Sequence, residues 1–109
     1  MAWSVKLFTN PRGDSPIKDF LNKLDDSSHA KTIKIIELLQ THGPALPPPY
    51  SKKLVKDIYE LRTSGQIAVR ILYTKYQNTF YLLHAFKKET QKTPLKEIQT
   101  ALDRKARLI

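Results

Sequence analysis

Residues 57–86 read DIYELRTSGQIAVRILYTKYQNTFYLLHAF. Ile, Val, Leu, Tyr and Phe crowd three runs: Asp57 to Thr63, Gln66 to Thr74 and Thr79 to Phe86. β-Branched and aromatic side chains suit a pleated, half-buried surface, so each run is an expected strand. The separators Ser64-Gly65 and Lys75-Tyr76-Gln77-Asn78 are of hairpin length, which predicts an antiparallel meander. Alternation assigns faces. Ile58, Glu60 and Arg62 oppose Tyr59, Leu61 and Thr63, and Ala68, Arg70 and Leu72 oppose Val69, Ile71 and Tyr73. Phe80, Leu82, His84, Phe86 and Lys88 oppose Tyr81, Leu83, Ala85 and Lys87. One face must cover a helical layer. Burying an arginine there is costly, so Arg62 and Arg70 belong on the other face or at its rim.

Upstream, Ser4 to Thr9 alternates as a short strand, and Asn10 to Asp14 is a turn by composition. Ser15-Pro16 starts a helix: a hydroxyl to cap free N–H groups, then a residue whose missing N–H costs nothing. Ile17, Phe20, Leu21 and Leu24 supply its apolar stripe. Asp25-Asp26-Ser27-Ser28 caps a second amphipathic helix, which His42-Gly43-Pro44 stops. The short polar connection predicts an antiparallel helical hairpin. Leu46-Pro47-Pro48-Pro49-Tyr50 is extended, proline-locked chain. It suits either an SH3-type ligand or a stiff connector, and its place inside the domain favours the connector.

Downstream, Thr93-Pro94 repeats the cap-then-proline signal. Leu95, Ile98, Ala101 and Leu102 give a last helix its stripe, and Arg104-Lys105-Ala106-Arg107 forms a basic tail. The expected order is β-α-α-β-β-β-α, an α+β fold within one domain, residues 1–109. No run approaches the length of a membrane span, and the N-terminus lacks an apolar leader. With no cysteine in the chain, disulfides and thiol nucleophiles are excluded, and a cytoplasmic location is expected.

A net charge of +9 on 109 residues attracts polyanions, nucleic acid first and an acidic protein surface second. Lys52, Lys53 and Lys56 lie on the loop before the meander; Lys87, Lys88 and Lys92 follow it, and Lys96 lies on the last helix. With Arg62 and Arg70 between them they can form a cationic groove for a phosphate backbone. Such a groove also stabilises the added charge of a pentacovalent phosphorane. Taken singly, each lysine reads as a solvated surface charge, and Glu60 can pair with either arginine. His29, His42 and His84 have no ligand-spaced partners, so no metal and no cofactor are expected. The tyrosines read mostly as core, with some free to stack on RNA bases.

Four segments together resemble the phage-derived, HigB-like branch of the RelE/ParE toxin superfamily. They are Tyr50-Ser51-Lys52-Lys53-Leu54, Ile58-Tyr59-Glu60-Leu61-Arg62, Ala68-Val69-Arg70-Ile71-Leu72-Tyr73, and Leu82 through Lys87-Lys88 to Thr93-Pro94. The resemblance covers residues 50 to 105 well, and the N-terminal part in element order only. It implies a RelE-like fold, a helical hairpin packed on a small antiparallel sheet. It also implies a ribosome-dependent endoribonuclease that cuts mRNA in the A site through the RNA's own 2′-OH, without metal. A helix-turn-helix antitoxin would be its partner, in a toxin–antitoxin hetero-oligomer. Arg62 would contact the scissile phosphate, with Arg70 beside it. Lys87 or Lys88 would stabilise transition-state charge, and Lys52, Lys53 and Lys56 would match a basic loop. The pattern departs at the proton-transfer residue: Pro94 stands near the family tyrosine's position, which leaves His84 and Lys92 to move a proton. A gyrase-poisoning toxin of the ParE kind, and a non-catalytic basic module of a repressor complex, are the competing readings.

Overall fold

The structure, a computed structural model, describes residues 3–108. Ser4–Leu7 (β1) leads into the helices Pro16–Asn22 (α1) and Asp26–His42 (α2). After a short 3-10 turn come Ser51–Val55 (β2), Ile58–Arg62 (β3), Val69–Tyr76 (β4) and Thr79–Lys87 (β5). Leu95–Ala106 (α3) completes the α+β order. The five strands form one sheet in the order β1-β5-β4-β3-β2. The meander is antiparallel as expected, but β1 joins the edge parallel to β5, so the sheet is mixed.

Helix ends follow the sequence signals. Ser15 Oγ accepts from Lys18 N–H at 3.2 Å, and Asp25 accepts from Ser28 N–H at 3.1 Å. Gly43 has φ +56, open to glycine at little cost, and a β-carbon there would collide with the Trp3 indole. α3 differs from expectation. Pro94 itself is the N-cap and has no side-chain cap, because the Thr93 hydroxyl donates to Glu60 on β3 instead.

The sheet separates two apolar layers. Ile17, Leu21, Ile35 and Leu39 of the hairpin pack on Leu61, Ile71, Tyr73 and Leu82. On the other side Ala101, Ile98 and Leu102 of α3 cover Ile58, Leu72, Leu83 and Phe8. Each fully buried Leu or Ile contributes about 1.5–3 kcal/mol, so these layers dominate the stability.

Two features depart from the sequence reading. First, Lys52 and Lys53 lie on an edge strand rather than in a loop: Lys52 pairs with Glu60 and Lys53 with Tyr59. Second, strict alternation fails in β5. Leu72 pairs with His84 but Tyr73 with Leu82, so Leu83 is an extra, bulged residue. Phe80, Leu82 and Ala85 therefore face the hairpin, while Leu83 and Phe86 face α3. His84 also turns to the α3 side, where its ring meets Glu97 and Arg104.

Tyr73 ties the sheet together, its hydroxyl 2.7 Å from Ser51 Oγ two strands away. Burial pushes its phenol pKa above 10.0, the Ser51 hydrogen bond pulls it back, and Tyr59 adds a smaller upward push. The fold thus favours the protonated phenol. Its contribution is complete below pH 10.0 and is lost as the pH climbs through the higher folded-state value. Urea unfolding between about pH 9 and pH 12 should show stability falling on the alkaline side, with a shallower fall in Tyr73→Phe.

Candidate RNA-binding site

Glu60 lies at the centre of the charged end of the sheet and is 1% exposed. Strand alternation puts it on the α3 side with Arg62, and the register places Arg70 directly opposite Arg62 on β4. Glu60 Oε1 is 3.2 Å from Arg62 Nε and 3.7 Å from Arg70 Nε. Arg62 Nε is nonetheless without an aligned hydrogen-bond acceptor, so that attraction is electrostatic. Two guanidinium groups against one carboxylate leave a local excess of positive charge.

The two arginines are not equivalent. Arg70 is 7% exposed, and its Nη1 donates to the carbonyls of Thr63 and Val69. Burial holds its pKa below the ordinary value, Glu60 pulls upward, and Arg62 pushes down slightly. The Arg62 side chain keeps 29% of its surface open. Arg70 is thus largely an internal anchor, and Arg62 is the arginine open to a ligand.

Arg70 lines two clefts. The larger, ≈ 600 Å³, lies between α2 and the ends of β3 and β4, with Lys31, Lys34 and Arg62 on its walls. Lys31 stretches over the β3–β4 turn, where a β-carbon on Gly65 would meet its Nζ at 2.8 Å. Tyr50 and Pro49 form the apolar wall. The smaller, ≈ 170 Å³, lies between the end of β5 and the start of α3. Lys87, Lys88 and Lys96 line it, along with Glu89 and Glu97. Lys88 Nζ donates to Gln91 Oε1 at 3.2 Å. Lys87 is paired with Val69, a residue of the hairpin-side core, and it feels Asp25 at the start of α2.

Other sequence-selected residues lie elsewhere. Lys56 is in the turn before β3, at the opposite end of that strand from Arg62. Lys92 is exposed and lines neither cleft. Lys52 and Lys53 extend along the outer edge, also outside both linings. His84 is fully engaged. Arg104 Nη1 approaches Nδ1 at 3.2 Å and, being always a donor, makes Nδ1 the acceptor. Nε2 then carries the proton and donates to Glu97 at 2.8 Å. The imidazole fastens α3 to β5, with Arg104 also holding the Leu83 carbonyl at 2.9 Å.

Sequence reasoning missed Lys31 and Lys34, which line the larger cleft. Their three-residue spacing puts both on one side of the helix, a usable signal. It also missed Glu97 and Arg104, two helical turns apart and therefore on one face. Among the described residues, no three His, Cys, Asp or Glu side chains gather as a metal site needs. No described helix is long and apolar enough to cross a membrane.

A basic α+β domain with a helical hairpin on one sheet face, a C-terminal helix on the other and a cationic double cleft at one end has a RelE-like fold. The family model described as Phage derived protein Gp49-like (DUF891) matches residues 19–106. The chain belongs to this phage-derived Gp49-like family, which is of RelE-like toxin type. No curated protein matches the sequence.

Proposed function

We propose that this chain is the toxin of a type II toxin–antitoxin pair of the HigB-like branch and cleaves mRNA in the ribosomal A site. The observation that carries the reading is that Arg70 joins two clefts bordered by Lys31, Lys34, Arg62, Lys87, Lys88 and Lys96. A run of cations across one end of a sheet suits a phosphate backbone and the charge of a phosphorane. In this reading the RNA 2′-oxygen attacks the adjacent phosphorus and the bond to the 5′-oxygen breaks. A 2′,3′-cyclic phosphate and a 5′-hydroxyl result, the departing 5′-oxygen taking its proton from solvent water. Arg62 and Lys88 stabilise the phosphoryl oxygens, and Arg70 holds Arg62's strand in place. His84 is occupied with α3, and Lys92 lines neither cleft. Glu89 lines the smaller cleft and has no ion-pair partner among the described residues, so it receives the 2′-OH proton. The partner is a helix-turn-helix antitoxin, and the site of action is the cytoplasm.

The test is purified protein added to translating ribosomes. Codon-positioned cuts ending in cyclic phosphate are expected, as is growth arrest on induction that the neighbouring gene's product relieves. Unimpaired growth with folded protein and intact mRNA would overturn the reading. DNA breaks trapped with gyrase would point to the ParE-like activity instead.

A further inference from the structure

The larger cleft has more than charge. Its apolar wall is Pro49 and Tyr50, and Tyr50 is 43% exposed. Tyr59 and Tyr73 stack on each other at 5.6 Å, whereas among the described residues no aromatic ring packs on Tyr50. Its backbone is fixed: Tyr50 C=O accepts from Arg62 N–H at 2.9 Å. Tyr50 is therefore anchored beside Arg62 on the neighbouring strand, and both side chains line the cleft. Across the cleft stand Lys31 and Lys34, and at its rim the hydroxyls of Thr63 and Ser64. Thr63 Oγ1 accepts from Val69 N–H at 2.9 Å, which leaves its own proton to donate.

An aromatic wall, hydroxyls at the edge and cations alongside complement a flat ring tethered to an anion. That ligand is a nucleotide with its base unstacked from its neighbours, as in single-stranded RNA. We propose that this cleft is a nucleobase subsite, with the base stacked on Tyr50, its edge toward Thr63 and Ser64, and its phosphate toward Arg62. This rests on the RNA-cleaving reading and extends it from backbone binding to base recognition. The position of the scissile phosphate then follows from which base occupies the cleft.

The probe is a short adenylate-rich RNA oligonucleotide carrying one 2-aminopurine, titrated with the full chain at low salt. A matched oligonucleotide has an abasic residue at that position. Quenching of the 2-aminopurine is expected on binding. Tyr50→Ala should weaken binding roughly tenfold, the loss that removing one base–aromatic stack brings. Tyr50→Phe and Tyr50→Trp should bind like the parent. The abasic RNA should bind wild type about as weakly as Tyr50→Ala binds the intact one. Equal affinity for abasic and intact RNA would overturn the subsite and leave the RNA-cleaving reading standing. No binding of either RNA, alongside no cleavage on ribosomes, would remove both.

Discussion

Glu60→Ala is expected to lower the unfolding free energy by about 3–5 kcal/mol, the cost of breaking a buried ion cluster by removing one partner. The carboxylate is 1% exposed and faces two guanidinium groups. Without it, Arg70 remains 7% exposed beside Arg62, directly across the ladder, with no countercharge. The Thr93 hydroxyl also loses its acceptor, which frees the segment leading into α3. Against a total stability of about 5–15 kcal/mol, such a loss leaves the domain close to unfolding at growth temperature. Glu60→Gln should lose less, because an amide oxygen still accepts from Thr93. Urea denaturation of the three proteins measures the difference. A change below about 1 kcal/mol for the alanine variant would mean that the arginines reach water on their own and that Glu60 does not hold them.

Arg62→Ala should reduce mRNA cleavage on ribosomes by about 100- to 1000-fold, the effect of removing one preorganised donor to a developing oxyanion. Stability should change little by comparison. Glu60 keeps Arg70 and Thr93 as partners, and the Arg62 side chain is already partly in solvent. Arg62→Lys should restore only part of the rate, since an ammonium gives charge without the planar fork. Lys88→Ala should also slow cleavage, by less, because Lys87 and Lys96 line the same cleft. Cleavage rates on programmed ribosomes, with melting curves alongside, separate catalytic from structural loss. Wild-type rates in Arg62→Ala would detach this residue from the chemistry.

The parts of the fold legible in the sequence are those set by local chemistry. Ser15-Pro16 starts α1 and Asp25 caps α2 as their side chains dictate. The meander follows from three apolar runs and short turns. β2 was not legible: Lys52 and Lys53 follow a proline run, and the segment becomes a strand only by pairing with β3. Thr93 read as a cap because its competing acceptor, Glu60, is far away in sequence. The site was legible in part. Arg62, Arg70, Lys87 and Lys88 converge at adjoining clefts, but the burial of Arg70 depends on tertiary packing that alternation does not encode. Lys31 and Lys34 come from an element whose polar side looked ordinary. Alternation grouped His84 with Phe80 and Leu82, but the bulge at Leu83 turns it to the α3 side. Lys56 was grouped with the cleft although it lies at the far end of β3 from Arg62.

The bulge at Leu83 works as a change of parity. Before it, even-numbered side chains of β5 face the hairpin, as Phe80 and Leu82 do; after it, odd-numbered ones do, as Ala85 does. One inserted residue thus decides which member of the Lys87-Lys88 doublet looks toward α2 and which toward the loop before α3. Loss of the bulged Leu83 would exchange the two without altering net charge or any turn. Alignments that count basic residues would miss the swap, and residue-for-residue transfer of roles onto this doublet is safe only between chains that keep the same odd–even phase.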